Sequence, residues 1–372
     1  MPEQNPETES EIILSLISAG ILEYERWRSS GKSAGLVYPT NLNRGLARLC
    51  LFALRNSPPA KFPESVPDLL SWCERPLTAL PLRLPSGLLG QDDCLISNNQ
   101  PTEQCGEWAR TGGDPESDLL ERKFMKAALD ACRQADAQAS YVAFRKWLIE
   151  NPIATEENLV RVAQDPGMEP VRDLIHDAYF PAPAAHAADG HFALCASCRN
   201  LLLKGAKGNE WICENPRCAE RHRIRIGQRL PRRQGIAWLR WELRRFVTLP
   251  GLSELRLARQ LKRSRLTVEL WPEFDAYDLR VIFPDQTVWA IDVKDWEYPW
   301  MARYEDVFPM HPQWDSAFFV FPRERRKRRI DYKHEFRRNY RHGDPHLDYV
   351  YDDELMKRAR ALAAKDGGES HA

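Results

Sequence analysis

The sequence predicts a multidomain protein of α plus α/β class, with a metal-binding module between two larger parts. Three observations support this. Apolar residues recur at roughly helical spacing through much of residues 9–180. Four cysteines fall into two short clips between positions 195 and 218. Beyond residue 265, short strand-like runs alternate with helical segments. The expected domains are a mostly helical region over 1–185, a four-cysteine module over 186–230 and a small α/β sandwich over 231–372. A length of 372 residues agrees with two to three domains of roughly 150 residues each.

In the first part, Ile12, Leu16, Ile17 and Ile21 mark one helix, and Asn41 or Asn43 can cap another running through Leu54. Residues 58–116 are rich in Pro, Gly and turn residues, so only short elements are expected there. Asp118 through Leu148 reads as strongly helical. Pro152 ends that run, and Thr155, followed by Glu156 and Glu157, starts the next helix. Phe180 to Ala188, with two Pro and five Ala, reads as a linker. Nothing in this half resembles a catalytic cluster, and no repeat of solenoid length is present.

Nine cysteines cannot all pair within one chain. Cys50, Cys73, Cys94, Cys105 and Cys132 are scattered and read as small hydrophobes. The other four run Cys195-x2-Cys198-x14-Cys213-x4-Cys218. Each clip can deliver two thiolates to one edge of a tetrahedron, and the intervening hairpin brings the clips together. Gly205 and Gly208 can make that turn, and Trp211 and Ile212 can lead a strand back. Four cysteine ligands leave no open position, so the expected ion is structural Zn2+. The opening MPEQNPETESE is acidic and lacks a basic region, so neither a secretory signal nor disulfides are expected. His191 and His222 flank the cluster, as substitute ligands or as surface or phosphate contacts.

Over the whole chain, 53 Lys+Arg balance 53 Asp+Glu, but the balance is an average over unlike parts. Residues 1–190 carry 18 basic and 27 acidic residues; residues 191–372 carry 35 and 26. Within the second half, 199–265 holds 18 basic against 5 acidic, 266–322 holds 3 against 11, and 323–342 holds 10 against 3. A carboxylate-rich segment thus lies between two basic ones. The pattern suits either solvated surface charge or a polyanion site with a metal centre, because phosphates need cations and divalent metals need carboxylates. Apolar content of 43% excludes a mostly disordered chain. The longest apolar runs, such as Leu49 to Leu54, fall far short of the about 18 residues a membrane span needs.

From Gly235 the pattern changes. Ile236 to Val247 reads as a helix with Ile236, Leu239, Leu243, Phe246 and Val247 near one face, and Ser253 to Leu261 as a second. Strands are expected over Leu266–Trp271, Leu279–Phe283, Thr287–Val293, Ala317–Phe321 and Leu347–Tyr351. A basic helix over Arg329–Arg338 and a C-terminal helix with Leu355 and Leu362 complete the set.

Asp292-Val293-Lys294 ends the third strand. In a strand, positions i and i+2 share a face, so Asp292 and Lys294 point together while Ile291 and Val293 bury the other side. Pro284-Asp285-Gln286 is the turn between two strands, and Asp285 lies about 20 Å of strand from Asp292. With that three-residue loop, Arg280 faces Ala290 and Asp278 faces Asp292, β-carbons about 5 Å apart. Asp278 is therefore the expected partner carboxylate, with Asp275 in reserve should the register slip.

These residues resemble the PD-(D/E)XK, or restriction-endonuclease-like, nuclease superfamily. The matching pieces are Asp278, thirteen intervening residues and Asp292-Val293-Lys294, preceded by the helix glutamate Glu242 in WLRWELRRF. The resemblance covers about residues 234–365 and implies a mixed sheet. It also implies that Asp278 and Asp292 hold Mg2+ (or Mn2+), that Lys294 orients or activates the attacking water, and that Glu242 supports the metal. Glu254, Glu269 and Glu273 are alternatives for the last role. Tyr277 rather than Pro precedes Asp278, a departure from the pattern. The layout as a whole resembles the nuclease-like proteins encoded beside prokaryotic PIWI-type Argonautes in defence islands.

The expected function is metal-dependent endonucleolytic hydrolysis of nucleic acid, DNA first, in a defence or restriction-type system of the cytoplasm. A catalytically inactive nucleic-acid-binding adaptor is the alternative, and a protein scaffold a further one. Arg221, Arg223, Arg225, Arg232 and Arg233, with Arg325, Arg326, Lys327, Arg328 and Arg329, are expected to contact phosphates without reading sequence. Trp296, Tyr298 and Trp300 follow the site, to stack bases or to pack a core. Partner proteins of a defence system are expected, and a homodimer would suit double-strand cleavage. No G-x4-G-K-[ST], G-x-S-x-G or H-E-x-x-H is present, so ATPase, serine hydrolase and zinc protease chemistry are not expected.

Overall fold

The computed structural model describes residues 6–29, 38–55, 62–80, 82–84, 89–90, 92–111, 120–204, 210–215, 218 and 224–366. The chain divides into two compact units. One comprises Met1–Lys123 with Tyr179–Glu242, the other Phe124–Ala178 with Leu243–Ala372.

In the first unit the helix Pro6–Ser29 packs against Thr40–Arg55 and Glu103–Thr111. Its Ile13, Leu14, Ile17 and Ile21 are buried, as are Leu42, Leu49, Phe52 and Trp108. The first two helices approach closely because glycines stand at the contact. A β-carbon on Gly20 would lie 2.5 Å from the Leu42 nitrogen, and one on Gly45 would lie 2.7 Å from Ile17 Cγ1.

Ile236–Leu239 is a strand, not the start of a helix. It pairs antiparallel with Tyr179–Pro181, with Phe180 opposite Trp238. All four of its residues are buried, and a short continuous apolar run carries no period that separates strand from helix. The same pairing makes the beginning of the expected linker a strand. Two small antiparallel pairs follow it, His191–Cys195 with Ile226–Pro231 and, between those strands in sequence, Leu202–Lys204 with Trp211–Cys213.

The second unit begins within α1 (Leu120–Gln134) and continues through α2 (Gln138–Glu150) and α3 (Glu156–Ala163). The expected long helix is interrupted between α1 and α2, where Asp136 takes a φ of 49°. Thr155 caps α3, accepting from the Asn158 N–H at 3.2 Å. Then come α4 (Leu249–Arg263), β1 (Thr267–Leu270), β2 (Leu279–Ile282), β3 (Val288–Val293), β4 (Ser316–Phe321), α5 (Arg323–Arg328), α6 (Tyr332–Asn339), β5 (Leu347–Tyr351) and α7 (Asp352–Asp366). The basic helix expected over Arg329–Arg338 is α6, which begins at Tyr332, and α5 is a further helix ahead of the expected range.

The strands form one mixed sheet in sequential order. β1–β2 and β2–β3 are antiparallel; β3–β4 and β4–β5 are parallel. On one face Leu279, Val281, Trp289, Ile291, Val293, Phe318 and Val320 pack with Leu257 and Leu261 of α4 and Leu355 and Met356 of α7. On the other, Ala290, Ala317, Phe319 and Phe321 pack with Tyr332 and Phe336 of α6. The strict alternation along β3 is what leaves Asp292 on the second face.

Candidate active site

The β2–β3 hairpin builds the site. Arg280 faces Ala290 and Leu279 faces Ile291, the register that a three-residue loop predicts. One step further the Val293 N–H donates to Asp278 Oδ2 at 2.7 Å, which ties Asp278 to the end of β3 next to Asp292 in sequence. Lys294 Nζ lies 2.8 Å from Asp292 Oδ2 and 2.6 Å from Glu305 Oε2. Burial alone would lower the lysine's pKa, but Asp292 and Glu305 outweigh it and hold Lys294 above its usual 10.5, as a cation. Asp278 is pushed up as well, which for a carboxyl favours the neutral form. Burial first, then the charges of Glu254 and Asp292, hold it well above the ordinary 3.8, with Arg145 opposing. Asp285 serves only the turn, accepting from the Thr287 N–H at 2.8 Å.

Glu242 does not join this cluster. It belongs to the first unit and accepts from Arg26 Nε at 2.6 Å. The helix carboxylate beside Asp278 is instead Glu254 of α4, among the alternatives the sequence offered. Glu254 accepts from Trp271 Nε1 at 2.6 Å and pairs with Arg145 Nη2 at 3.1 Å. Glu269 and Glu273 are exposed, and Glu269 pairs with Arg280.

Arg145 of α2 was not foreseen. Its guanidinium pairs with Asp275 and Glu254, lies 3.6 Å from Asp278 Oδ1, and covers the Trp271 ring at 4.7 Å. No local signal marks it, because it stands 130 residues from Asp275 in sequence. Asp275, the reserve ligand, also accepts from Tyr141 OH at 2.7 Å. Asp275, Asp278 and Glu254 offer carboxylate oxygens, the ligand type a hard divalent cation prefers, and the Arg145 guanidinium sits among them. By ligand chemistry these residues suit a divalent metal, while among the described residues only the four cysteines form a group of three or more gathered at ligand spacing.

In the first unit, Cys195, Cys198, Cys213 and Cys218 are all buried, and their sulfurs lie within 4.8 Å of one another. Among the described residues they are the one His/Cys/Asp/Glu group gathered so tightly. Cys195 and Cys213 end strands, which fixes two of the four. Hydrogen bonding among the thiols favours the Cys195 thiolate, pushing its pKa down. This cluster fits a closed tetrahedral thiolate site, where sulfurs about 2.3 Å from the ion stand roughly 3.8 Å apart. The glycines expected to make its turn lie outside the described residues. His191 Nδ1 faces the Asp189 carbonyl at 2.8 Å rather than the sulfurs, and His222 lies outside the described residues.

The basic residues separate into three groups. Arg225, Arg232 and Arg233 are exposed, together with Arg229, and make no ion pair among the described residues. Arg325 is only 3% exposed: it bonds Asp295 Oδ1 at 3.0 Å and also pairs with Glu297. It is a structural ion pair and not a phosphate contact, because its charge is already spent inside the fold. Arg326 and Lys327 are exposed, though Arg326 lies 3.3 Å from Asp353, and Arg329 is 3.9 Å from Glu335. Arg221 and Arg223, and the side chain of Arg328, lie outside the described residues. Tyr298 and Trp300 are buried, and Trp296 packs on Phe336 at 5.7 Å, so these aromatics pack the fold and are not free to stack bases.

Among the described residues no helix is long and apolar enough to cross a membrane. Residues 13–155 match the pPIWI_RE three-gene island domain Y, and residues 251–367 match the REase associating with pPIWI_RE. Comparisons with curated proteins and with solved structures found no match. All five strands, with Asp278, Asp292 and Lys294, fall inside the second match, and α2 with Arg145 falls inside the first. The chain is therefore a restriction-endonuclease-like protein of the pPIWI_RE defence island.

Proposed function

We propose that the chain is a Mg2+-dependent endonuclease that hydrolyses phosphodiester bonds of DNA in antiviral defence. One observation carries the reading: Asp278 accepts from the Val293 N–H, between Asp292 and its ion-pair partner Lys294, within the region that matches an REase. Asp278 and Asp292 would hold the ion, with Glu254 supporting them. When bound, such an ion polarises a phosphate and lowers the pKa of water. Lys294, kept cationic by Asp292 and Glu305, offers positive charge where the phosphate gains negative charge. The exposed Arg225, Arg229, Arg232 and Arg233 grip phosphates without reading bases. Arg326 and Lys327 contribute to the same grip. Cys195, Cys198, Cys213 and Cys218 hold a structural Zn2+. The proposed folding domains are 1–185, 186–230 and 231–372, and the proposed location is the cytoplasm, where a defence nuclease meets invading DNA.

Arg145, seated among the carboxylates, favours a second reading, an inactive nucleic-acid-binding adaptor. The full chain is incubated with single- and double-stranded DNA and with RNA, in Mg2+ or Mn2+. Cleavage that disappears in Asp292→Ala and in Lys294→Ala, with binding retained, is the expected result. Unchanged cleavage in both variants removes the site assignment. Salt-dependent binding without cleavage in either metal supports the adaptor.

A further inference from the structure

Gln138, Tyr141 and Arg145 stand at i, i+3 and i+7 of α2, on one helix face. All three hold the segment Trp271–Asp275. Gln138 Nε2 donates to the Trp271 carbonyl at 2.6 Å, and its Oε1 accepts from the Phe274 N–H at 2.6 Å. Tyr141 OH and Arg145 Nη1 both donate to Asp275 Oδ2. The segment needs holding. Trp271, Glu273, Phe274 and Asp275 have φ of 46°, 46°, 57° and 74°, a region that residues with a β-carbon rarely adopt. Such strain persists only where the surroundings over-determine the backbone, and it gathers at functional sites and switches. The strained turn leads directly to Asp278, whose carbonyl accepts from the Trp271 N–H at 2.8 Å.

The Arg145 side chain is 14% exposed, and its Nε has no hydrogen-bond partner. Carboxylates, rather than a full complement of hydrogen bonds, decide where the guanidinium sits. Asp278 Oδ2 accepts from the Val293 N–H, which leaves Oδ1 as the carboxylate oxygen with both lone pairs open to a cation. That oxygen is the one 3.6 Å from Arg145 Nη2, which also bonds Glu254.

We propose that Arg145 is a resident counter-cation of this site, which withholds Glu254 and Asp278 from a divalent ion until α2 loosens its hold on the strained turn. The inference rests on reading Asp278 and Asp292 as metal ligands. A guanidinium and a divalent ion need the same lone pairs, and two cations at one site repel each other. The turn is the element with two arrangements: gripped by Gln138, Tyr141 and Arg145 it keeps Asp275 against the guanidinium, and released it relaxes towards ordinary backbone. Because α2 lies in the domain Y match and Asp278 in the REase match, metal loading answers to whatever moves α2.

The test compares Mn2+ affinity, read by electron paramagnetic resonance, in the full-length wild type, Arg145→Gln and Arg145→Lys. Arg145→Gln should bind Mn2+ about tenfold or more tightly than wild type, and adding Asp278→Asn should abolish the gain. If Arg145→Gln does not fold, Arg145→Lys carries the test. It keeps the buried charge, but one ammonium cannot span three carboxylates, so a smaller gain is expected. Equal affinity in wild type and in a variant whose circular dichroism is native overturns the inference. So does a gain that survives Asp278→Asn. A gain that Asp278→Asn abolishes, in a chain that cleaves no nucleic acid, supports the counter-cation while removing the nuclease reading.

Discussion

The backbone N–H of Val293 donates to Asp278 Oδ2 at 2.7 Å, fastening the acidic residue before β2 to the end of β3 beside Asp292. Asp278→Asn can still offer Val293 a carbonyl oxygen, but it loses the negative charge. Cleavage should fall by about 10²–10³. The melting temperature should not fall, because a buried carboxylate with a raised pKa is replaced by a neutral amide. Single-turnover cleavage and thermal melting together check this; a fall in both would mark Asp278 as a structural residue.

The raised pKa of Asp278 also sets a pH dependence. A carboxyl that binds its proton more tightly in the fold favours the fold below its ordinary 3.8, and the benefit is lost as pH rises through the raised value. Wild type should therefore lose stability relative to Asp278→Asn as pH climbs from about 4 towards neutrality. Mn2+, which binds the deprotonated carboxylate, should restore more stability to wild type at about pH 8 than at about pH 5. Melting curves across that range, with and without Mn2+, give the comparison.

The four-cysteine cluster should carry about one zinc per chain, and Cys198→Ser or Cys213→Ser should lose it. The first unit should then melt earlier, because metal binding free energy is folding free energy at such a site. Metal analysis of the purified variants is decisive. Zinc retained at wild-type stoichiometry in both would exclude the assignment.

Charge exposure separates two kinds of arginine. Arg325→Ala removes the guanidinium that Asp295 and Glu297 share inside the fold, at a cost of about 3–5 kcal/mol in urea unfolding. Joint substitution Arg232→Glu and Arg233→Glu should leave stability nearly unchanged. It should weaken nucleic-acid binding and flatten its dependence on salt. Equal effects of the two changes on binding and on stability would contradict the division.

Much of the sheet was legible in the sequence. β2, β3, β4 and β5 lie within a residue or so of where alternation predicts them, and the three-residue loop settles the hairpin register. The Asp292–Lys294 pair follows from the period of two. Less legible were Ile236–Leu239, whose uniform burial erases the period, and Trp296, Tyr298 and Trp300, whose burial depends on what packs over them. Glu242 and Glu254 are both helix glutamates in similar local sequence, and only their partners, Arg26 and Trp271, tell them apart.

By itself the sequence determined what short-range periodicity and spacing can encode: the strands, their register, the acidic-x-Lys pair and the four-cysteine clips. The tertiary structure decided what depends on residues far apart in the chain. It set Glu254 against Trp271 and Arg145 and Glu242 against Arg26, buried Arg325, and bent Trp271–Asp275 into left-handed backbone under the grip of α2. It also brought Arg145 to a carboxylate cluster 130 residues away. Long-range charge pairing leaves no pattern in either segment alone, because each half looks like ordinary surface charge until the fold removes the water between them.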